Sequence, residues 1–168
     1  MKMNNLEQLK QELEETKNKC AEIEKKIDEL EKQTNGARWK AQKNKRYYCF
    51  DSCGEIQEDC DNCYVDTARY EFGNYFETKE EAENVVEKIK IYTQLKDLAL
   101  KLNKGEKINW DNSMQNKYYI GFNPLDNTLM RMHTNTLQNI GQTYCLDGNF
   151  LVKAIKEIGE ENLKKLFE

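Results

Sequence analysis

At 168 residues with a net charge of −4, the chain is too acidic as a whole for general attraction to nucleic acid or to an anionic membrane. A charged fraction of 33% beside 38% apolar residues is compatible with folding, because the apolar residues fall in periodic runs. No apolar run approaches the length of a membrane span, and the charged N-terminus does not read as a secretory leader. The six cysteines are therefore expected to be reduced thiols in the cytosol.

The first element is a helix with an a/d seam. Leu6, Leu9, Leu13, Thr16, Cys20, Ile23, Ile27 and Leu30 alternate by three and four residues with no Gly or Pro among them. A helix so polar outside its seam is marginal alone in water, so it predicts a helical partner, most simply a second copy. In a parallel dimer the flanking charges pair as Glu12–Lys17′, Lys19–Glu24′ and Lys26–Glu31′, each worth about 0.3–0.5 kcal/mol. The antiparallel arrangement also pairs Lys10–Glu31′ and Glu12–Lys26′, but it sets Lys19 against Lys19′. Ile at both Ile23 and Ile27 leaves trimers and tetramers open. The alternative is that the seam packs on this chain's own globular part.

Residues 1–33 thus read as an oligomerisation helix, ending at an Asn35-Gly36 turn, with residues 34–168 as one α+β domain. Within it, Arg46–Asp51 predicts a strand, Ser52-Cys53-Gly54 a turn, and Glu55-Ile56 a short second strand. The aromatic stretch Tyr64–Phe76 predicts more strand. Thr78 with Glu81 three residues on forms a capping box, opening a helix to about Asn103. Its expected buried face holds Ala82, Val85, Val86, Ile89, Tyr92, Leu95, Leu98, Ala99 and Leu102. A polar connector carrying Trp110 follows, and then strands near Tyr118–Phe122, Thr128–Met132 and Gly141–Cys145. A helix from about Asn149 to Ile158 and a last turn over Glu161–Phe167 close the chain.

The halves 45–103 and 116–168 look alike. A shift of 69 residues superimposes Thr78 on Asp147, and Ala82, Val85, Val86 and Ile89 on Leu151, Ala154, Ile155 and Ile158. The expected architecture is two strand-strand-strand-helix units with antiparallel sheets.

Charge separates after the first helix. Arg38, Lys40, Lys43, Lys45 and Arg46 stand among Trp39, Tyr47 and Tyr48, a composition suited to phosphate and unpaired bases. Asp51, Glu55, Glu58, Asp59, Asp61 and Asp66 follow, a run able to imitate phosphates before a basic partner. The plain alternative is that the two stretches neutralise each other, with the aromatics in the core. Cys49, Cys53, Cys60 and Cys63 have the only metal-like spacing, a Zn²⁺ candidate weakened by a first pair with three residues between its cysteines instead of two. His133 is the sole histidine and sits in no triad sequence, and Trp110 is either a core plug or an exposed anchor. No phosphate loop or nucleophile elbow is present, so the chain reads as non-enzymatic and cofactor-free.

The runs Arg38-Trp39-Lys40-Ala41, Asp51-Ser52-Cys53-Gly54-Glu55-Ile56, Arg69-Tyr70-Glu71-Phe72-Gly73-Asn74-Tyr75-Phe76 and Thr78-Lys79-Glu80-Glu81-Ala82 carry a resemblance. With the ending Ile158-Gly159-Glu160-Glu161-Asn162-Leu163, they resemble an uncharacterised family of small phage and prophage proteins of low-GC Gram-positive bacteria. That resemblance implies a phage setting, in which small acidic oligomers act against host defence. The leading expectation is an anti-CRISPR-like inhibitor that binds a host protein through Arg38–Arg46 and Glu58, Asp59 and Asp61. Two alternatives are a nucleic-acid-binding module and a sponge for a signalling nucleotide, the latter with Arg131 or Arg69 on phosphate.

Overall fold

The computed structural model describes the backbone of residues 5–35 and 38–168, and in the first helix the side chains of residues 7 and 9–27. The seam side chains Leu6 and Leu30, Glu31, and the Gly36 half of the expected turn lie outside the described residues. The protein is α+β, with five helices and two small two-stranded sheets among the described residues.

Two compact units divide the chain: Met1–Cys49 with Glu58–Glu77, and Phe50–Gln57 with Thr78–Glu168. In the first, helix α1 (Asn5–Asn35) runs without interruption, as its strong helix formers and lack of Gly or Pro dictate. Strands β1 (Arg46–Phe50) and β2 (Ile56–Cys60) pair as a hairpin. The hairpin turns where the Asp51 carboxylate accepts the Cys53 and Glu55 amides, at 2.8 and 3.0 Å. The next segment differs from expectation. Tyr64–Phe72 is helix α2, not strand. The reason lies at its N-terminus, where the Asp66 carboxylate accepts the Asn62 and Cys63 amides, at 2.9 and 2.7 Å, and fixes the first helical turn. Gly73, at φ +81°, closes the helix in the left-handed region. Only Phe76 returns to extended pairing, as a single bridge to Tyr48. The core of this unit is aromatic: Tyr47 and Tyr75 stack at 3.9 Å with Ala41 and Cys49, and Trp39 and Tyr70 pack against them.

In the second unit, α3 (Lys79–Asn103) starts at the expected capping box, with Thr78 and Glu81 exchanging hydrogen bonds at 3.1 and 3.2 Å. Its buried face changes phase along its length. Ala82 and Val86 are buried near the hairpin tip, where Val86 approaches Gly54. Ile91, Leu95, Leu98 and Ala99 then face a separate core, which leaves Ile89 exposed rather than buried. One helix serving two partners cannot keep a single stripe.

Strands β3 (Lys117–Asn123) and β4 (Thr128–Thr134) pair antiparallel, with Ile120 opposite Arg131. The expected strand at Gly141–Cys145 reduces to one bridge, Tyr118 with Cys145. Helices α4 (Phe150–Ile158) and α5 (Glu160–Lys164), with a 3-10 turn at Lys165–Phe167, close the core through Phe150, Ala154, Ile158 and Leu163.

In place of three strands and a helix, residues 45–103 hold a hairpin, the helix α2, a bridge and the helix α3, and residues 116–168 hold a hairpin, a bridge and the helices α4 and α5. Phe76 and Cys145, 69 residues apart in number, each bridge the first strand of their hairpin. The cap matching Thr78 is Asn149, not Asp147. Asp147 sits two residues earlier, its carboxylate accepting the Asn149 amide at 2.8 Å. Burial accordingly pairs Ala82 with Ala154 and Val86 with Ile158, a slightly longer shift than the sequence match gives.

Candidate functional site

Three features bear on function: the face of α1, the charged residues of the first unit, and a cleft in the second.

Every described side chain of α1 is exposed, and its aliphatic stripe is among them: Leu9, Leu13, Ile23 and Ile27 are 47–59% exposed. Cys20 is exposed on the same helix, and the Thr16 hydroxyl donates back to the Glu12 carbonyl at 2.7 Å.

The basic and acidic stretches of the first unit are drawn together by the hairpin, and much of their charge is spent internally. Arg46 pairs with Glu58 at 2.7 Å on the surface. Arg69 lies between Asp59, at 2.5 Å, and buried Asp66, at 3.8 Å, and donates to the Tyr47 hydroxyl at 2.7 Å. The Tyr47 hydroxyl in turn donates to Asp66 at 2.5 Å, and the Tyr75 hydroxyl donates to Asp61 at 3.1 Å. Burial pulls Asp66 upward, but the Tyr47 hydroxyl and the Asn62 and Cys63 amides outweigh it and hold the carboxyl down to about 2. Burial and the neighbouring carboxylates raise Tyr47 and Tyr75, so both stay protonated as donors. Arg69 is held charged by hydrogen bonds to Tyr47 and Asp59.

Arg38 donates to the Tyr70 carbonyl and lies 4.7 Å from the centre of its ring, while the Lys40 ammonium lies 5.1 Å from the same ring. Trp39 packs on the aromatic core. Lys40, Lys43 and Lys45 remain exposed. Lys40 and Lys43 border a shallow depression of about 560 Å³ with Asn62, Cys63, exposed Tyr64 and Thr67.

The four clustered cysteines do not converge. Cys49 is buried in β1, Cys60 half-buried, and Cys53 and Cys63 exposed, and no group of three potential metal ligands forms among the described residues. Arg131 donates to the Gly148 carbonyl at 3.1 Å and lies over the Tyr118 ring, so it and Arg69 are both engaged within the protein. His133 is exposed on β4 beside Tyr118, with ring centres 6.2 Å apart.

The cleft of the second unit, of about 660 Å³, runs along the C-terminal half of α3, with Trp110 and Tyr144 in its wall. Lys117, fully buried at the start of β3, organises that wall. Its ammonium donates to the carbonyls of Asn112 and Asn135, at 2.9 and 2.8 Å, and lies 5.3 Å from the Trp110 ring centre. Trp110 meets Tyr144 edge-on at 4.9 Å, and the Tyr144 hydroxyl accepts the Asn139 amide at 2.7 Å. These contacts fix Trp110 of the irregular connector against Tyr144 of the loop before α4. An adjoining recess of about 160 Å³ shares Tyr92, Gln142 and Thr143 with the cleft. Thr143 is 7% exposed, and its hydroxyl has no hydrogen-bond partner.

Reading along the chain missed this cleft, because its walls come from α3, the connector and the loop before α4. Trp110 in a polar connector was the one signal, and it is both a half-buried wall and a plug over Lys117.

No family model, curated protein or solved structure matches the chain. No described helix is long and apolar enough to cross a membrane.

Proposed function

We propose that this protein is a self-associating, non-catalytic binding protein that acts by occupying a partner. The observation that supports this is the stripe of α1: Leu9, Leu13, Ile23 and Ile27 stand exposed at heptad spacing on a 31-residue helix. Covering such a stripe with the same stripe of a second copy removes apolar area from water at about 25 cal/mol per Å². The parallel pairs Glu12–Lys17′ and Lys19–Glu24′ favour that arrangement over the antiparallel one.

In the phage setting that the resemblance implies, occupancy means inhibition of a host defence protein in the host cytosol, a CRISPR effector being the concrete case. The contact surface we favour is narrower than charge counting suggests. Asp59 and Asp61 serve Arg69 and Tyr75, so altering them strikes the fold before it strikes a partner. The exposed Lys40, Lys43 and Lys45, with Tyr64, suit an acidic partner surface better. Nucleic acid is the second reading for the same face. If it held, three exposed lysines would give a log-log salt slope of about −3.

Light-scattering mass measurement on a sizing column tests the association. The unaltered chain is expected to run as a dimer or higher oligomer. The double substitution Leu13→Ser, Ile23→Ser is expected to run as a monomer with the β-hairpins and α2–α5 intact. A monomeric unaltered chain at tens of micromolar would reject the proposal.

A further inference from the structure

We propose that the cleft of the second unit binds a nucleoside monophosphate, with its base against the aromatic and amide wall and its phosphate toward Lys96 and Lys107. This stands apart from self-association, since every residue it uses belongs to one unit.

Size comes first. At about 660 Å³ the cleft falls within the range of small-molecule sites, and the adjoining recess gives it a deeper end. The wall is preformed, because Trp110 is held by Tyr144 on its edge and by the Lys117 ammonium. A rigid aromatic wall favours a flat, polarisable ligand, because any nucleobase presents a π-face that stacks on it.

Polar groups then narrow the chemistry. Thr143 lines both cleft and recess, and its hydroxyl is buried without a hydrogen-bond partner, a destabilised state that a polar ligand group reaching it would relieve. Beside it, the Gln142 amide nitrogen is committed to the Ile120 carbonyl at 3.0 Å. That bond fixes the side chain and leaves its carbonyl oxygen as an acceptor. Thr143 and Gln142, in the lining of a cleft walled by Trp110 and Tyr144, carry a hydroxyl and an amide carbonyl that complement the donor and acceptor edge of a nucleobase. A purely apolar ligand would leave both unmet.

Charge supplies the last element. Lys96 and Lys107 line the cleft against the single acid Glu106, which leaves it one positive charge in excess. Two lysines suit one phosphate group. A nucleic-acid strand requires a longer basic track, which this cleft lacks among its lining residues.

The test is calorimetric titration of the full-length chain with AMP, GMP, CMP and UMP, alongside ribose 5-phosphate and a short single-stranded oligonucleotide. At least one nucleoside monophosphate is expected to bind saturably with one site per chain, and ribose 5-phosphate is not. In a Trp39→Phe background, the same titration is expected to quench the remaining Trp110 fluorescence, which locates the ligand in this unit.

Thr143→Val keeps the shape and removes the hydroxyl. It is expected to weaken binding about tenfold while leaving the thermal midpoint equal or higher, an outcome a merely structural threonine would not give. Lys96→Ala with Lys107→Ala is expected to weaken the monophosphate but not the parent nucleoside. The proposal is overturned if no monophosphate binds at millimolar concentration, or if the oligonucleotide binds in preference to all four. It is equally overturned if binding is indifferent to both sets of substitutions.

Discussion

Replacing Asp66 by Asn tests the reasoning about the first unit most sharply. The Asp66 carboxylate is buried with one oxygen on the Tyr47 hydroxyl at 2.5 Å and the other on the Asn62 and Cys63 amides at 2.9 and 2.7 Å. Asparagine keeps one oxygen for the two amides but turns an NH₂ group toward the Tyr47 oxygen, which already accepts Arg69 at 2.7 Å. The Tyr47 proton then loses its acceptor and Arg69 loses one of its two anions. Holding a carboxyl at about 2 against its ordinary 3.8 corresponds to roughly 2 kcal/mol, at 1.36 kcal/mol per pH unit. The independent range for hydrogen bonds to a charged group, about 1.5–3 kcal/mol, agrees.

Because the folded value lies below the unfolded one, this stability is fully present above about pH 4. It is lost as pH falls through about 2, when the native carboxyl protonates. Urea unfolding, followed by Trp39 fluorescence in a Trp110→Phe background, is the assay. Asp66→Asn is expected to be less stable by about 2 kcal/mol at neutral pH, with the gap to the unaltered chain closing toward pH 2. A gap of the same size at every pH, or none at neutrality, would refute the account of Asp66 as the charged keystone of α2.

Two further outcomes follow from local geometry. Lys117→Met removes the donor to the Asn112 and Asn135 carbonyls and the cation beside Trp110. It should cost about 2 kcal/mol and shift Trp110 emission, read by thermal unfolding in a Trp39→Phe background. Gly73→Ala places a Cβ in the left-handed region at φ +81°, 3.1 Å from the Arg38 guanidinium. It should cost about 1–2 kcal/mol, while Gly73→Asn, which tolerates that region, should recover most of it.

The sequence by itself determined the elements whose cause is local. The helical state of α1, the Thr78–Glu81 capping box and the strands β1, β3 and β4 need only neighbours a few residues away, and each forms close to where its local sequence points. Tertiary structure decided what depends on distant partners. Tyr64–Phe72 has the aromatic look of a strand. It is helical because Asp66 reaches its own cap amides while bonding Tyr47, which is nineteen positions away in the chain. Whether the charged stretches were free or mutually satisfied was likewise undecidable along the chain, since the hairpin sets Arg46 beside Glu58, and the fold of the first unit sets Arg69 of α2 beside Asp59 of β2. The cleft is the extreme case. Lys117 reads as one more surface lysine, yet folding buries its ammonium under Trp110 and between two loop carbonyls. Burial, and with it the chemistry of that site, is a property of three segments meeting.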